Sequence, residues 1–235
     1  MLRELYELQK LDTVRAEKQR TLDAIRAELA DESNLRQVRA RLATIQAQYT
    51  SQNALRRDAQ LAVEQIEARE ELVQDRLYGG AVTNPRELEA FQEEQTMLSR
   101  QKSEAEDILL ERMVATEDLQ EALASTQEAL ATIEERRSLR VPELRSQGRA
   151  LSGELEGLNL TRDEMLPQFP PQMLSTYETL RASRDGQAVS KVIASRGRDV
   201  CEACRVALPR SDIQRLRTGE SLVQCNNCRR ILYME

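Results

Sequence analysis

The sequence predicts a mainly α-helical protein, a long antiparallel coiled-coil helical hairpin with a small β-rich domain at its C-terminal end. Three observations support this prediction. Residues 1–78 contain neither Gly nor Pro, a Gly-Gly pair and an Asn-Pro pair follow in quick succession, and all four cysteines come after position 200. The composition agrees, since 3% aromatic and 31% charged residues are typical of long helices and not of a compact globular core.

The composition also excludes several classes of function. The chain has no His, which removes catalysis by an imidazole base and metal sites that use imidazole as a ligand. It has no Gly-rich phosphate-binding loop, and a thin hairpin encloses no pocket. We therefore predict that the protein is not an enzyme and takes no small-molecule substrate.

No apolar run approaches the ~20 residues that span a bilayer. The N-terminal segment mixes charges with leucines and lacks the apolar stretch of a signal peptide. These features predict a cytoplasmic protein with no membrane partner.

The first arm of the hairpin is predicted over residues 1–77, where apolar residues recur every 3.5 positions and form a seam that must face another helix. This spacing links Leu35, Val38, Leu42, Ile45 and Tyr49. Upstream, Leu8, Leu22, Ile25 and Leu29 keep the same spacing but are one residue out of phase. Such a slip either alters the supercoil locally or breaks the helix, and the pattern near 31–34 is compatible with both.

The tip of the hairpin is predicted at residues 78–84. Gly79 or Gly80 can adopt the left-handed conformation that ends a helix. Asn84 can cap the next helix, with Pro85 at its first position. A stop signal and a start signal this close together indicate two antiparallel arms.

The second arm is predicted from Pro85, with a seam that includes Leu98, Thr116 and Thr126. Pro142 should kink this helix or start a new one, and both outcomes stay open. We place the hairpin domain at 1–166 and a linker with a short helix at 167–185. The remaining domain covers residues 186–235.

Two CxxC pairs with 20 residues between them dominate the C-terminal domain: Cys201, Cys204, Cys225 and Cys228. Two residues between thiolates allow one tight turn to aim both sulfurs at one ion, and a second turn completes a tetrahedral shell. About 50 residues bury little core, so a metal crosslink is the expected remedy. We predict one structural zinc ion in a C4 zinc ribbon. A redox dithiol or a catalytic zinc fits this pattern less well, because the former needs a βαβ setting and the latter an open coordination position.

The chain resembles the bacterial C4-type zinc-ribbon coiled-coil family. The resemblance rests on Tyr78-Gly79-Gly80, on Asn84 to Leu88, on Pro170-Pro171, and on the segments Cys201 to Pro209 and Cys225 to Tyr233. It implies a coiled-coil hairpin with a zinc ribbon, no catalytic activity, and a role as a nucleic-acid-binding or regulatory adaptor. Some family members are tied to RNA, transcription, or flagellar and secretion-related control.

One feature departs from the family pattern. In the family, Gly usually follows the second cysteine pair, whereas Arg229 stands there in this chain, and Arg205 occupies the matching place after the first pair. A non-Gly residue at that position is expected to need an unfavourable backbone angle.

Arginines near the cysteines suggest that the ribbon binds nucleic acid, with phosphate contacts from Arg205, Arg210, Arg215, Arg217, Arg229 and Arg230. The alternative function is a protein–protein adaptor that uses the ribbon and the tip residues Tyr78, Asn84 and Arg86. The charged arm faces are also compatible with pairing with a second copy as a homodimer. A solvated arginine-rich surface and ordinary turn chemistry at the tip remain the plain alternatives.

Overall fold

A computed structural model describes residues 1–80, 82–195, 197–219 and 222–234. It confirms a mainly helical chain with a helical hairpin and a small C-terminal sheet. The elements in chain order are α1 (Leu2–Ala30), α2 (Ser33–Tyr78), α3 (Pro85–Met165), a 3-10 turn (Leu166–Gln168), α4 (Pro171–Ser183), β1 (Val189–Ser195), β2 (Arg198–Cys201), α5 (Arg210–Thr218) and β3 (Ile231–Tyr233).

The chain forms two compact units. Residues 31–140 make one, here called the hairpin unit, and residues 1–30 with 141–235 make the other, here called the ribbon unit. The predicted domain boundaries at 166 and 186 follow a different division and stay predictions.

In the hairpin unit, α2 and the first part of α3 bury the apolar seams that the sequence predicts. Buried residues on α2 are Leu35, Ile45, Val63 and Val73. On α3 the seam contains buried Leu98, Thr116 and Thr126. Both threonine hydroxyls donate to carbonyl oxygens one turn earlier, at 2.7 Å, so these polar seam positions are satisfied within their own helix.

Ion pairs connect the two arms along the edges of this seam. Arg69 lies 2.7 Å from Glu94, and Arg39 lies 2.7 Å from Glu134. These pairs are largely exposed, so each contributes little to stability, about 0–1 kcal/mol. The apolar seam therefore provides most of the attraction between the arms.

The phase slip in the first arm proves to be a break in the helix. α1 ends at Ala30 and α2 begins at Ser33. The Asp31 side chain accepts a hydrogen bond from the Ser33 backbone N–H at 2.9 Å. Arg137 of α3 donates to the Asp31 carbonyl oxygen at 2.8 Å and to the Glu32 carboxylate at 2.9 Å. These contacts satisfy groups that the broken helix leaves unpaired.

The helix ends at the tip follow the sequence signals. Gly80 has a φ of +75°, as expected for left-handed closure, whereas Gly79 stays in the right-handed region. The Asn84 side chain accepts a hydrogen bond from the Arg86 N–H at 3.1 Å and so caps α3. Ala81 of the predicted tip lies outside the described residues. Farther along, α3 continues through Pro142, so the proline does not break the second arm.

In the ribbon unit, the start of α1 shares one core with α4 and the sheet. Strand β1 pairs antiparallel with β2 and parallel with β3, which gives the order β2-β1-β3. The core consists of Leu5, Leu8, Phe169, Tyr177, Leu180, Ala188, Val189, Ile231 and Tyr233. The sheet is therefore packed on helices and is not a free tail.

Polar and aromatic contacts fix the position of α1 against the sheet. The Gln9 carboxamide donates to the Val189 carbonyl oxygen at 2.9 Å and accepts from the Val189 N–H at 2.6 Å. The Tyr6 ring stacks on the Tyr233 ring with centroids 5.4 Å apart. One side chain of α1 thus satisfies both backbone groups of a buried strand residue.

A buried carboxylate lies beside this core. Asp12 is 2% exposed and accepts hydrogen bonds from Arg162 Nε at 2.8 Å and from the Tyr177 hydroxyl at 2.9 Å. Arg181 lies 2.7 Å from the same carboxylate. Burial, followed by the Asp12 charge, raises the pKa of Tyr177 far above its ordinary value, so the hydroxyl keeps its proton and donates. Asp12 therefore joins α1, α3 and α4.

Replacement of Asp12 tests this junction. Asp12→Ala leaves Arg162 and Arg181 with Glu178 as their remaining carboxylate and removes the acceptor of the buried Tyr177 hydroxyl. Because Asp12 is the buried member of this network, we expect a loss of about 3 kcal/mol in the free energy of unfolding. Tyr177→Phe removes one hydrogen bond and should cost about 1 kcal/mol. Urea unfolding followed by circular dichroism measures both values. Equal costs for the two variants would show that the carboxylate charge is unimportant.

Candidate metal centre and ribbon surface

Each CxxC pair lies in a turn with the same two backbone hydrogen bonds. In the first turn, the Cys201 carbonyl oxygen accepts from the Arg205 N–H at 2.8 Å, and the Cys201 N–H donates to the Val206 carbonyl oxygen at 3.0 Å. The second turn repeats both bonds, each at 2.8 Å, with Cys225, Arg229 and Arg230. The sequence repeat thus produces two equivalent knuckles.

The knuckles bring the four sulfurs into one cluster. The Sγ atoms of Cys201 and Cys228 are 3.7 Å apart, and those of Cys204 and Cys225 are 3.6 Å apart. All four lie within 4.8 Å of one another. A tetrahedral zinc ion with Zn–S bonds of about 2.3 Å requires sulfurs about 3.8 Å apart. The donor set and its spacing therefore fit one structural zinc ion with a closed shell of four thiolates.

Burial of the thiols makes proton release part of metal binding. It raises the pKa of the Cys225 thiol to about 12 and also raises that of Cys201. Burial acts in the same direction on Cys204, but hydrogen bonds, first from the Val206 backbone, outweigh it and lower the pKa to about 7. Zinc must displace the protons of the raised thiols, so its affinity should fall as pH falls.

A serine outside the knuckles supports the cluster. The Ser190 hydroxyl, on β1 and 4% exposed, lies 3.2 Å from the Cys201 sulfur and accepts a hydrogen bond from the Ala203 N–H at 3.1 Å. Such partners orient metal ligands. Ser190 was not predicted from the sequence, because a serine in a short strand carries no sign of its neighbours in space.

The arginines that replace glycine adopt the expected strained backbone. Arg205 has a φ of +60° and Arg229 a φ of +66°. For a residue with a Cβ this left-handed conformation costs roughly 1–2 kcal/mol. Two backbone hydrogen bonds hold each of these turns and so help the fold to accommodate both residues.

The six arginines proposed for nucleic-acid contacts do not form one cluster. Arg210 and Arg217, on α5, line a cleft of about 510 Å³ together with Arg198. Arg205 and Arg229 are exposed on the two knuckles. Arg215 lies 4.0 Å from Asp212. Arg230 donates from Nε to the Gln187 carbonyl oxygen at 2.8 Å and is only partly exposed. Arg198, three residues before Cys201, was not predicted, because nothing in the sequence indicates that it lines a cleft together with residues of α5.

Aromatic stacking surfaces are poorly accessible on this domain. Tyr233, the aromatic residue that follows the second knuckle, is 5% exposed and is covered by Tyr6. At the tip, by contrast, Tyr78 is 77% exposed and Arg86 is also exposed. Asn84 already serves as a helix cap.

Chelation tests how far the zinc supports the ribbon. The cysteines share a second core with Ile213, Leu216, Val223 and Leu232. We expect that removal of zinc exposes the amides of this second core to hydrogen exchange while most helicity persists. The core around Tyr177 should keep more of its protection, because it contains none of the cysteines and includes contacts between α1 and α4. Hydrogen exchange before and after chelation measures both cores, and equal loss of protection would contradict the separation.

The strained knuckle residue gives a second test. We expect Arg229→Gly to stabilise the zinc-bound domain by about 1 kcal/mol, which corresponds to roughly five-fold tighter zinc binding in competition with a chelator. Arg230→Gly is the matched control. It removes a hydrogen bond at a position without a positive φ and should weaken binding. A gain for both variants would indicate an effect of charge and not of backbone strain.

None of the helices in the described part of the chain is long and apolar enough to cross a lipid bilayer.

Comparison with solved structures identifies proteins of similar fold. The CT398 protein from Chlamydia trachomatis aligns over 100% of this chain and 97% of its own, with a TM-score of 0.81 and 22% identity. The HP0958 protein from Helicobacter pylori aligns over 100% and 97%, with a TM-score of 0.56 and 14% identity. A structure from Mycobacterium smegmatis aligns over 98% and 96%, with a TM-score of 0.59 and 21% identity.

No curated protein sequence matches the chain. Sequence profiles of two domain families do match it. The C4-type zinc ribbon domain covers residues 200–232 and includes all four cysteines, which confirms the prediction of one structural zinc ion. The CT398-like coiled coil hairpin domain covers residues 6–185. With its fold and most of its length accounted for in this way, the chain belongs to the family of CT398-like coiled-coil hairpin proteins and carries a C4-type zinc ribbon.

Proposed function

We propose that this protein is a non-enzymatic regulator that binds nucleic acid through its zinc ribbon. The observation that carries the proposal is a set of exposed ribbon arginines that make no ion pair with any residue the structure describes: Arg198, Arg205, Arg210, Arg217 and Arg229. Unpaired guanidinium groups on a rigid domain are suited to bind phosphate oxygens.

The geometry favours contacts to phosphates over contacts to bases. Arg198, Arg210 and Arg217 line one cleft, where Asp199 is the acidic group among the lining residues. Tyr233 is covered by Tyr6 and offers no face to a base. We therefore expect binding that depends strongly on salt and weakly on sequence.

The knuckle arginines support the same proposal. Glycine would suit the backbone at positions 205 and 229 better than arginine, since φ is positive at both. Strained residues of this kind occur preferentially at functional sites. Their exposed guanidinium groups lie beside the metal turns, where a bound phosphate chain would pass from one knuckle to the other.

A cytoplasmic location is part of the proposal. All four cysteines are free of disulfide bonds and converge on the metal site. Thiolate ligands persist best in a reducing compartment.

Fluorescence anisotropy with a labelled single-stranded RNA and a labelled DNA duplex tests the proposal. We expect Arg210→Glu/Arg217→Glu to weaken binding at low salt at least ten-fold, because two phosphate contacts are lost and two negative charges are added. The slope of log K against log salt for the RNA should fall by about 0.7 for each lost contact.

The matched control is Arg41→Glu/Arg76→Glu, which makes the same charge change at exposed positions of α2. It should lower affinity much less than the ribbon variant. Equal losses would mean that overall charge and not the ribbon governs binding. Failure of the wild-type protein to bind RNA or DNA at low salt would refute the proposal.

A second candidate function is a protein–protein adaptor that uses the tip together with the ribbon. The observation in its favour is that Tyr78 is 77% exposed and that Arg86, at the start of α3, is exposed as well. Tyr and Arg are common anchors of protein interfaces. Tyr78→Ala/Arg86→Ala should leave nucleic-acid affinity unchanged, whereas a partner held at the tip would be released by this variant.

A further inference from the structure

An apolar groove lies between α1 and α3 in the ribbon unit. Its floor is formed by Leu22, Ile25 and Leu144, none of which is more than 7% exposed. Gly148 lines the groove. A Cβ there would make ordinary contacts with Ile25 at 3.6 Å and Leu22 at 3.8 Å, whereas a longer side chain would occupy the groove. The groove has a volume of about 640 Å³ and is open to solvent. It is large enough to receive side chains from another helix.

Arginines edge this groove on both helices. Arg26 stands on α1, and Arg145 and Arg149 stand one turn apart on α3. All three are exposed. Arg26 lies 3.4 Å from Asp23, whereas Arg145 and Arg149 make no ion pair with the described residues. The arginine-edged groove thus combines an apolar floor with uncompensated positive charge, which suits a helix whose apolar face is bordered by carboxylates.

The hairpin unit carries a helical face of this chemistry. On α3, Leu110, Met113 and Val114 are 58%, 37% and 58% exposed and lie on one side of the helix. Carboxylates lie one turn before these three residues and one to two turns after them: Glu106, Asp107, Glu117 and Glu121. We call the three apolar residues and these four carboxylates the acidic patch. Asp107, Glu117 and Glu121 make no ion pair in the described part of the chain.

We propose that the arginine-edged groove of one copy binds the acidic patch of a second copy. Apolar side chains of the patch fill the groove, and its carboxylates meet Arg145 and Arg149. Every copy carries one groove and one patch, and a pair of copies that makes this contact in both directions is a two-fold dimer. The occupant is a second copy because this chain itself presents the complementary charge and the exposed apolar residues.

Sedimentation equilibrium over a range of chain concentrations at low salt tests the proposal. We expect the wild-type protein to self-associate and to dissociate as salt rises, because exposed charges are screened. Arg145→Glu/Arg149→Glu should raise the dissociation constant at least ten-fold. Glu117→Arg/Glu121→Arg should do the same.

A mixture of these two variants is the decisive experiment. Within either variant, groove and patch carry charges of the same sign and repel. In the mixture, the acidic groove of one variant faces the basic patch of the other, and the second contact is wild-type. Association should therefore return towards the wild-type level only when the two variants are combined.

Two further variants separate packing from charge. Gly148→Leu fills the groove and should weaken association, whereas Gly148→Ala places its Cβ at ordinary contact distances and should not. The charge control is again Arg41→Glu/Arg76→Glu, which should associate as the wild type does. Circular dichroism confirms that each variant keeps its helices.

Two outcomes would overturn the proposal. One is a wild-type protein that stays monomeric at every concentration tested, which would leave the groove to a different protein. The other is a mixture of charge variants that associates no better than each variant alone.

Discussion

The contact of Leu5 and Leu8 with the sheet and α4 is the interaction on which the rest of the ribbon unit depends. Both leucines are fully buried, and they lie in the core that also holds Tyr177 and Ile231. A sheet with strands of seven, four and three residues has too little apolar surface to fold without support. The start of α1 supplies that surface on one side of the sheet, and the metal-bound knuckles supply a crosslink on the other.

This arrangement explains why polar residues of α1 form hydrogen bonds and ion pairs with other elements of the ribbon unit. Gln9 satisfies both backbone groups of Val189, and Asp12 holds a tyrosine and two arginines from two other helices. Each of these groups would be costly to bury without its partner. The ribbon unit is thus specified by a few buried polar contacts as well as by apolar packing, and these contacts fix one orientation of the sheet on the helix.

Much of the fold could be predicted from the sequence because it rests on local signals. The heptad spacing, the Gly80 and Asn84 signals at the tip and the two CxxC pairs each act over a few residues. The roles of Asp12, Ser190 and Tyr6 were not predictable in this way, since their partners lie more than ten residues away in sequence and no spacing rule connects them. Pro142 shows that a local signal can also mislead. Proline strongly disfavours a helix interior, yet α3 continues through it over 81 residues.

The shared core also imposes an order on how the chain can mature. Leu5 and Leu8 leave the ribosome more than 150 residues before Met165, the first residue of the C-terminal half that packs against their core. At roughly 5–20 residues per second, this interval lasts on the order of ten seconds or more. During this interval the two leucines cannot form their native contacts with the C-terminal half of the chain. The apolar side chains of this segment therefore stay exposed, or are covered by chaperones, until translation is nearly complete.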